Sequence, residues 1–89
     1  MNIGGDIGAM VATMDAAALG TELHLQSEHE PPIDVHTGVW ARDHADGTVV
    51  AAVFAELLEG TYRVLDSDGR PTQRVEVEGG RVTTVDLRR

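Results

Sequence analysis

The sequence of 89 residues contains no cysteine and no lysine, and it has only one tryptophan, one tyrosine and one phenylalanine. The absence of cysteine excludes disulfides, thiolate metal sites and thiol catalysis. No apolar run approaches the roughly 20 residues that a membrane-spanning helix needs, so we expect no membrane partner. With so few aromatic side chains, the core must be built mainly from Val, Leu, Ile, Ala and Met.

Basic residues are scarce as well, since seven arginines stand against 15 acidic residues and give a formal net charge of −8. Ten of the acidic residues but only one arginine lie in residues 1–62, so this part carries the negative charge. An acidic surface repels a phosphate backbone, and we therefore expect no nucleic-acid partner. No basic residue precedes the first apolar stretch, which argues against a secretory signal and predicts a cytoplasmic protein.

Short runs of apolar or alternating residues, separated by Gly, Pro and Asp turns, dominate the chain and predict β-strands. Seven strands are expected, at positions 10–14, 22–26, 33–41, 49–54, 61–65, 74–78 and 82–87. The segment from Asp15 to Gly20 is the only helical one, and it is long enough for a single turn. The prediction is one all-β domain, a seven-stranded antiparallel β-sandwich over residues 1–89 with a flexible start at residues 1–8. A barrel of five or six strands is the alternative.

Two of the predicted strands, Met10–Met14 and Val49–Phe54, are almost entirely apolar. A strand with one face in water alternates between apolar and polar residues, and these two strands do not. The pattern is typical of strands covered on both faces.

The last two predicted strands are joined by a Gly-Gly pair, which suggests a hairpin. A strict two-residue connection would turn Val85 away from Val75. We prefer a three-residue connection, which sets Val75 opposite Val85 and Val77 opposite Thr83. That register keeps the apolar residues on one face.

The segment from Ala52 to Val64 reads AVFAELLEGTYRV and contains the pattern L-x-x-G-x-Y. It resembles the strand–turn–strand segment of transthyretin-like (prealbumin-like) sandwiches, which carboxypeptidase regulatory-like and Cna B-type modules share. The Asp-Ser-Asp-Gly turn and residues 75–87 are similar to that group as well, so the resemblance covers about the last 40 residues. It implies a non-catalytic module that acts as a spacer, folding aid or binding platform. The whole chain is also similar to short actinobacterial proteins, which implies a fold but no activity.

The pattern has a physical interpretation of its own. Leu57 or Leu58 is expected to close one end of the core, and Gly60 permits the bend that follows. Tyr62 is expected to pack with its hydroxyl reaching a hydrogen-bond partner.

A hairpin of the second and third predicted strands would place His24 opposite His36 on its polar face. Two imidazoles with nearby carboxylates are typical ligands of Zn²⁺, Ni²⁺ or Cu²⁺. The candidate ligands of such a divalent transition metal lie on the two strands and on the loop between them: His24, His36, Glu28 and His29. The alternative is an exposed acidic surface whose two imidazoles repel each other once protonated.

Asp34 and Trp40 share the polar face of this hairpin and are the candidate residues for binding a partner. Trp40 is expected in the core, because the chain has little other aromatic bulk. An exposed Trp40 beside His36 would instead anchor a protein partner or stack against a sugar.

Catalysis has little support in the sequence. Ser27 and Ser67 are the candidate serine nucleophiles, but neither lies at a strand-to-helix turn that would present its hydroxyl. We therefore expect a non-enzymatic interaction or accessory domain without a cofactor. It would bind a protein partner or form a homo-oligomer, through a sheet edge or the polar face. A small metal-binding protein and a small hydrolase are the alternatives.

Overall fold

The computed structural model of this chain describes residues 3–45 and 47–88. The prediction of an all-β chain with seven strands and one helical turn is confirmed, while the five- or six-stranded alternative is wrong. The helical turn is a single 3₁₀ turn, Ala16–Ala18. The strands are β1 (Ile7–Thr13), β2 (Glu22–Ser27), β3 (Asp34–His44), β4 (Gly47–Leu58), β5 (Gly60–Leu65), β6 (Pro71–Val77) and β7 (Val82–Asp86). No helix in the described ranges is long and apolar enough to cross a membrane.

The strands form one mixed sheet in the order β6-β5-β2-β3-β4-β1-β7. Neighbouring strands are antiparallel except β1 and β7, which run parallel, so the prediction of a purely antiparallel sandwich is wrong. The sheet curls until its two edge strands approach each other. The Thr83 hydroxyl donates a hydrogen bond to the Glu76 carbonyl across them at 3.3 Å, and the arrangement is nearly a barrel.

The connection between β6 and β7 explains the parallel pair. Residues 78–81 do not reverse beside β6 but cross the beginning of β1. The Gly80 N–H donates to the Ile7 carbonyl at 2.9 Å, and the Ala9 N–H donates to the Arg81 carbonyl at 3.0 Å. β7 then runs along the far side of β1.

The predicted β6–β7 hairpin is therefore wrong, and with it the register that set Val75 opposite Val85 and Val77 opposite Thr83. Val85 lies instead beside Ala12 of β1. Its side chain still packs against the core, so the apolar pattern of this strand is satisfied by a different neighbour.

The predicted flexible start, residues 1–8, contributes Ile7 and Gly8 to β1. Gly4 forms a β-bridge with Ile7 just before the strand. Positions 1 and 2 lie outside the described residues.

The long strand β3 changes partners along its length. Residues 34–38 of β3 pair with β2, whereas residues 39–44 pair with β4. This divides the curled sheet into two halves. Half-sheet I contains β6, β5, β2 and residues 34–38, and half-sheet II contains residues 39–44, β4, β1 and β7. The molecule is flat, with extents of 37 × 31 × 17 Å.

One cluster of buried side chains lies between the two halves. Its members are Met10, Ala12, Leu23, Leu25, Val39, Ala52, Phe54, Leu57, Tyr62, Val64, Val75 and Val77. Aliphatic residues dominate the cluster, as the composition predicts. Leu23 and Leu25 point inward and His24 points outward, which confirms the predicted alternation of β2.

The turn between β4 and β5 follows the physical interpretation of the L-x-x-G-x-Y pattern. Leu57 is buried in the core, and Gly60 turns the chain with a φ of +145°. The hydroxyl of the buried Tyr62 donates a hydrogen bond to the Leu58 carbonyl at 2.6 Å. This contact is of the tyrosine-corner type, in which a tyrosine near the start of a strand bonds to the backbone a few residues upstream. Burial raises the pKa of Tyr62.

Tyr62→Phe should lower the free energy of unfolding by about 1 kcal/mol, because the Leu58 carbonyl loses its donor while the ring keeps its packing. The raised pKa of Tyr62 adds a pH effect, since the unfolded chain deprotonates first. The wild-type chain therefore loses stability as the pH rises above about 10. The Tyr62→Phe variant lacks the contribution of Tyr62 to this alkaline loss. Urea titrations at neutral and alkaline pH measure both effects. Equal alkaline losses in the two proteins would contradict the assignment.

Candidate functional site

The predicted histidine pair is present on the outer face of half-sheet I. His24 of β2 lies directly opposite His36 of β3 in an antiparallel register, which confirms the hairpin prediction. The two rings are stacked, with centroids 5.1 Å apart and an angle of 27° between their planes.

Glu22 joins the histidine pair, although sequence reasoning did not select it. One Glu22 carboxylate oxygen lies 3.8 Å from His24 Nε2, and the other lies 3.6 Å from His36 Nε2. Glu22 precedes His24 by two residues on the same strand, so its side chain emerges on the same face. All three side chains are more than half exposed. Solvent therefore screens their charges, and the contacts add little stability.

The other two predicted metal ligands lie elsewhere and are engaged. Glu28 accepts two hydrogen bonds from the Arg74 guanidinium, at 2.8 and 3.0 Å. The His29 ring forms a 2.7 Å hydrogen bond with the Glu59 carbonyl. Within residues 3–45 and 47–88, no three His, Asp or Glu side chains are grouped in a way that could hold a metal ion. The predicted ligand set of His24, His36, Glu28 and His29 is thus not assembled.

The fully buried Ser27 holds the loop of residues 28–33 in a conformation that keeps His29 apart from His24 and His36. Its hydroxyl oxygen accepts hydrogen bonds from the Ile33 N–H at 2.7 Å and the His29 N–H at 3.3 Å. The backbone N–H of Ser27 also donates to the Ile33 carbonyl at 2.8 Å. One side chain therefore closes the turn that follows β2.

Ser27→Ala should lower the free energy of unfolding by about 2 kcal/mol, because two backbone donors lose their acceptor at a buried site. Ser67→Ala is the matched control, since Ser67 is exposed and its loss should change the free energy by less than about 0.5 kcal/mol. Thermal or urea unfolding of both variants measures the difference. If the two variants proved equally stable, Ser27 would not organise the loop.

The two candidate serines have different surroundings. Ser27 is occupied by the loop, and Ser67 lines a shallow cleft of about 530 Å³ together with His24. No hydrogen bond joins Ser67 to a histidine in the described part of the chain.

Trp40 is exposed, and the prediction that it lies in the core is wrong. Its exposed fraction is 58%. The indole lies over Gly38, where a Cβ atom would come within 2.5 Å of the indole Nε1. Gly38 is also the last residue of β3 that pairs with β2. Trp40 itself pairs with Ala51 of β4 and therefore belongs to half-sheet II.

Asp34 is exposed and lies opposite Gln26, on half-sheet I. The backbone of Trp40 pairs within half-sheet II, but its indole lies over Gly38 of half-sheet I, so Trp40 stands at the border of the face predicted for His24, Asp34, His36 and Trp40. Asp34 stays with the two histidines, whereas Trp40 also borders a different surface.

That surface is the outer face of half-sheet II, and it is apolar. Val11 of β1 and Val53 of β4 lie side by side at its centre, and neither belongs to the core cluster. Ala9 and Ala51 are buried but are likewise outside that cluster, as expected for small side chains shaded by larger neighbours. We call this surface the apolar outer face and define it by Ala9, Val11, Trp40, Ala51, Val53 and Val82.

The two outer faces have opposite chemical character. Half-sheet I carries charged and polar side chains on its outer face, among them Glu22, His24, His36 and Arg74. An antiparallel sheet that meets water normally alternates in this way, with polar residues outward. Half-sheet II departs from the rule, because Trp40 and Val82 stay 58% and 46% exposed at its margins.

The sequence pattern of β1 and β4 indicates this surface. The apolar runs in β1 and β4 predicted strands covered on both faces. One face of each strand does pack on the core. The part of the chain that the structure describes supplies no second layer over the other face, as the exposed Trp40 and Val82 demonstrate. The continuous apolar pattern therefore marks an outer surface.

Comparison with known proteins gives a likeness of fold. No protein-family model and no curated protein matches the sequence. The structure is similar to part of a leucine-rich repeat protein from Bacteroides thetaiotaomicron, with a TM-score of 0.57 and 12% sequence identity. The likeness covers 94% of this chain but 12% of that chain, so the present chain spans about an eighth of its length. At this identity the comparison bears on the fold alone.

Proposed function

We propose that this chain is a non-enzymatic interaction domain that docks another polypeptide on its apolar outer face. The observation that carries the proposal is the exposed Trp40 beside an uncharged surface of Ala, Val and Thr side chains on half-sheet II. Exposed tryptophans are frequent anchors of protein interfaces, because they bury a large area at little cost in conformational entropy.

Burial of the apolar outer face against a partner is favourable in free energy. Burying the exposed 58% of Trp40 would contribute roughly 2–4 kcal/mol at about 25 cal/mol per Å². The surrounding Val11, Val53 and Val82 would add to this. A small domain with an aliphatic core gains a large share of its stability from such an addition.

The same proposal places the chain among transthyretin-like accessory modules with a sandwich arrangement. The buried Leu57, the bend at Gly60 and the Tyr62–Leu58 hydrogen bond support it. A similar fold that occupies 12% of a longer protein supports the accessory role, because it places such a unit within a larger chain. The cytoplasmic location stays a prediction.

A binding comparison of two point variants tests the proposal. Wild-type protein, Val11→Glu and the control His36→Ala are immobilised and exposed to an extract of the source cells. We expect the wild type and His36→Ala to retain the same proteins, the chain itself included, and Val11→Glu to lose them. Retention that is unchanged by Val11→Glu would contradict docking on the apolar outer face.

The metal alternative has its own readout in native mass spectrometry with Zn²⁺, Ni²⁺ and Cu²⁺. The proposal predicts no stoichiometric adduct. An adduct that is present in the wild type and absent in His36→Ala would contradict the proposed interaction domain. It would support the alternative of a metal-binding protein that uses His24 and His36.

A further inference from the structure

We propose that the polypeptide covering the apolar outer face is a second copy of this chain, packed face to face across half-sheet II. This inference rests on the proposed function and names its partner. Two sheets packed in this way lie about 10 Å apart and interdigitate their side chains. Val11 and Val53, at the centre of the face, would then be buried against the second copy.

The first argument is the exposed area. The chain exposes 5644 Å², whereas a folded monomer of 9.5 kDa exposes about 5000 Å². The excess of roughly 600 Å² is spread over a flat molecule of 37 × 31 × 17 Å, and a standard interface buries roughly 800 Å² on each partner. The four strands of half-sheet II also form a face about 15–20 Å wide, at about 4.8 Å between strands. One flat face of the molecule is therefore large enough for a dimer at the small end of the range.

The second argument is the charge of the face. Ala9, Val11, Ala51 and Val53 form a centre without a charged side chain, so nothing on it attracts a basic partner. An uncharged face matches another uncharged face. The net charge of −8 is carried by the other surfaces and the loops, where two copies need not approach each other.

Sedimentation equilibrium of the full chain, from low micromolar to millimolar concentration, tests this inference. The wild type should reach twice the 9.5 kDa monomer mass. Trp40→Ala should raise the dissociation constant at least about 10-fold, and Val11→Glu should raise it at least about 100-fold. Gln26→Glu, which adds the same charge to the other outer face, should dimerise like the wild type. Circular dichroism confirms that each variant is folded.

Three outcomes would overturn the inference. A folded wild type that stays monomeric throughout would leave the proposed function standing with a different partner, to be found in the binding comparison. A dimer that survives Val11→Glu and Trp40→Ala uses another surface. A dimer that is lost in Gln73→Pro but kept in Val11→Glu pairs through the β6 edge.

Discussion

Gly8→Ala is expected to lower the free energy of unfolding by about 3 kcal/mol, because the backbone that crosses β1 leaves no space for a side chain. A Cβ atom at this position would lie 2.3 Å from the Glu78 carbonyl oxygen and 2.9 Å from the Val77 Cγ1 atom. The obstacle is mainly backbone, which cannot rotate away as a surface side chain would. The Ile7 carbonyl accepts the Gly80 N–H at 2.9 Å and ties the crossing segment to β1.

The control for Gly8→Ala is Gly20→Ala. Gly20 has a φ of +84° and no atom within 4 Å of its built Cβ, so it tests the conformational penalty without a clash. That penalty is about 1–2 kcal/mol. Guanidinium unfolding of both variants separates the two effects. Equal losses would mean that residues 78–81 do not cross β1 closely, and the parallel placement of β7 would lose its basis.

Val53→Glu is expected to leave the fold intact and to abolish association. The side chain of Val53 is partly exposed and lies outside the core cluster, so a carboxylate there can reach water in the monomer. In the complex it would be enclosed against the apolar surface of the partner. Burying an unpaired charge costs several kcal/mol, so association should weaken at least about 100-fold.

Two measurements on Val53→Glu keep these effects apart. Urea unfolding in dilute solution should differ from the wild type by less than about 1 kcal/mol. The dissociation constant, from sedimentation or calorimetric dilution, should rise at least about 100-fold. A variant that unfolds would show that Val53 belongs to the core, and unchanged association would show that the apolar outer face is not used. Gln26→Glu again controls for the added charge.

Local patterns of the sequence predicted the strands and one hairpin correctly. Leu23 and Leu25 alternate with His24, and Val35 and Val39 alternate with His36, so the buried faces of β2 and β3 define their register. That register is sufficient to place His24 opposite His36. Side-chain alternation depends only on residues that are close in the chain. The periodicity of the sequence is therefore sufficient to predict this register.

Long-range placement could not be predicted in the same way. The apolar pattern of Val75, Val77 and Val85 is compatible with an antiparallel β6–β7 hairpin. In the structure, residues 78–81 cross β1, and β7 pairs with β1 instead. The decisive feature is the close approach of Gly79 to the segment before β1, since a Cβ at Gly79 would lie 1.9 Å from the Gly5 carbonyl oxygen. Contacts between residues that are some 70 positions apart leave no periodic trace.

The candidate site shows the same difference between local and long-range prediction. The histidine pair came from local alternation, whereas the fate of Glu28 depended on Arg74 of β6, far along the chain. The scarcity of aromatic residues predicts Trp40 in the core, but Trp40 alternates with the buried Val39 and therefore faces outward, as His36 does. The apolar runs in β1 and β4 predict strands covered on both faces, and the described residues cover one face of each strand. The proposed partner would cover the other face.

The fluorescence of Trp40 tests the central claim most directly, because it is the only tryptophan and lies on the apolar outer face. Acrylamide quenching of the full chain is measured from about 0.1 μM to about 1 mM, a range that spans typical dissociation constants of small interfaces. We predict that quenching weakens and the emission shifts to shorter wavelength as the concentration rises, with no such change in Val53→Glu. Strong quenching that is independent of concentration, in both proteins, would contradict a self-covered face at Trp40.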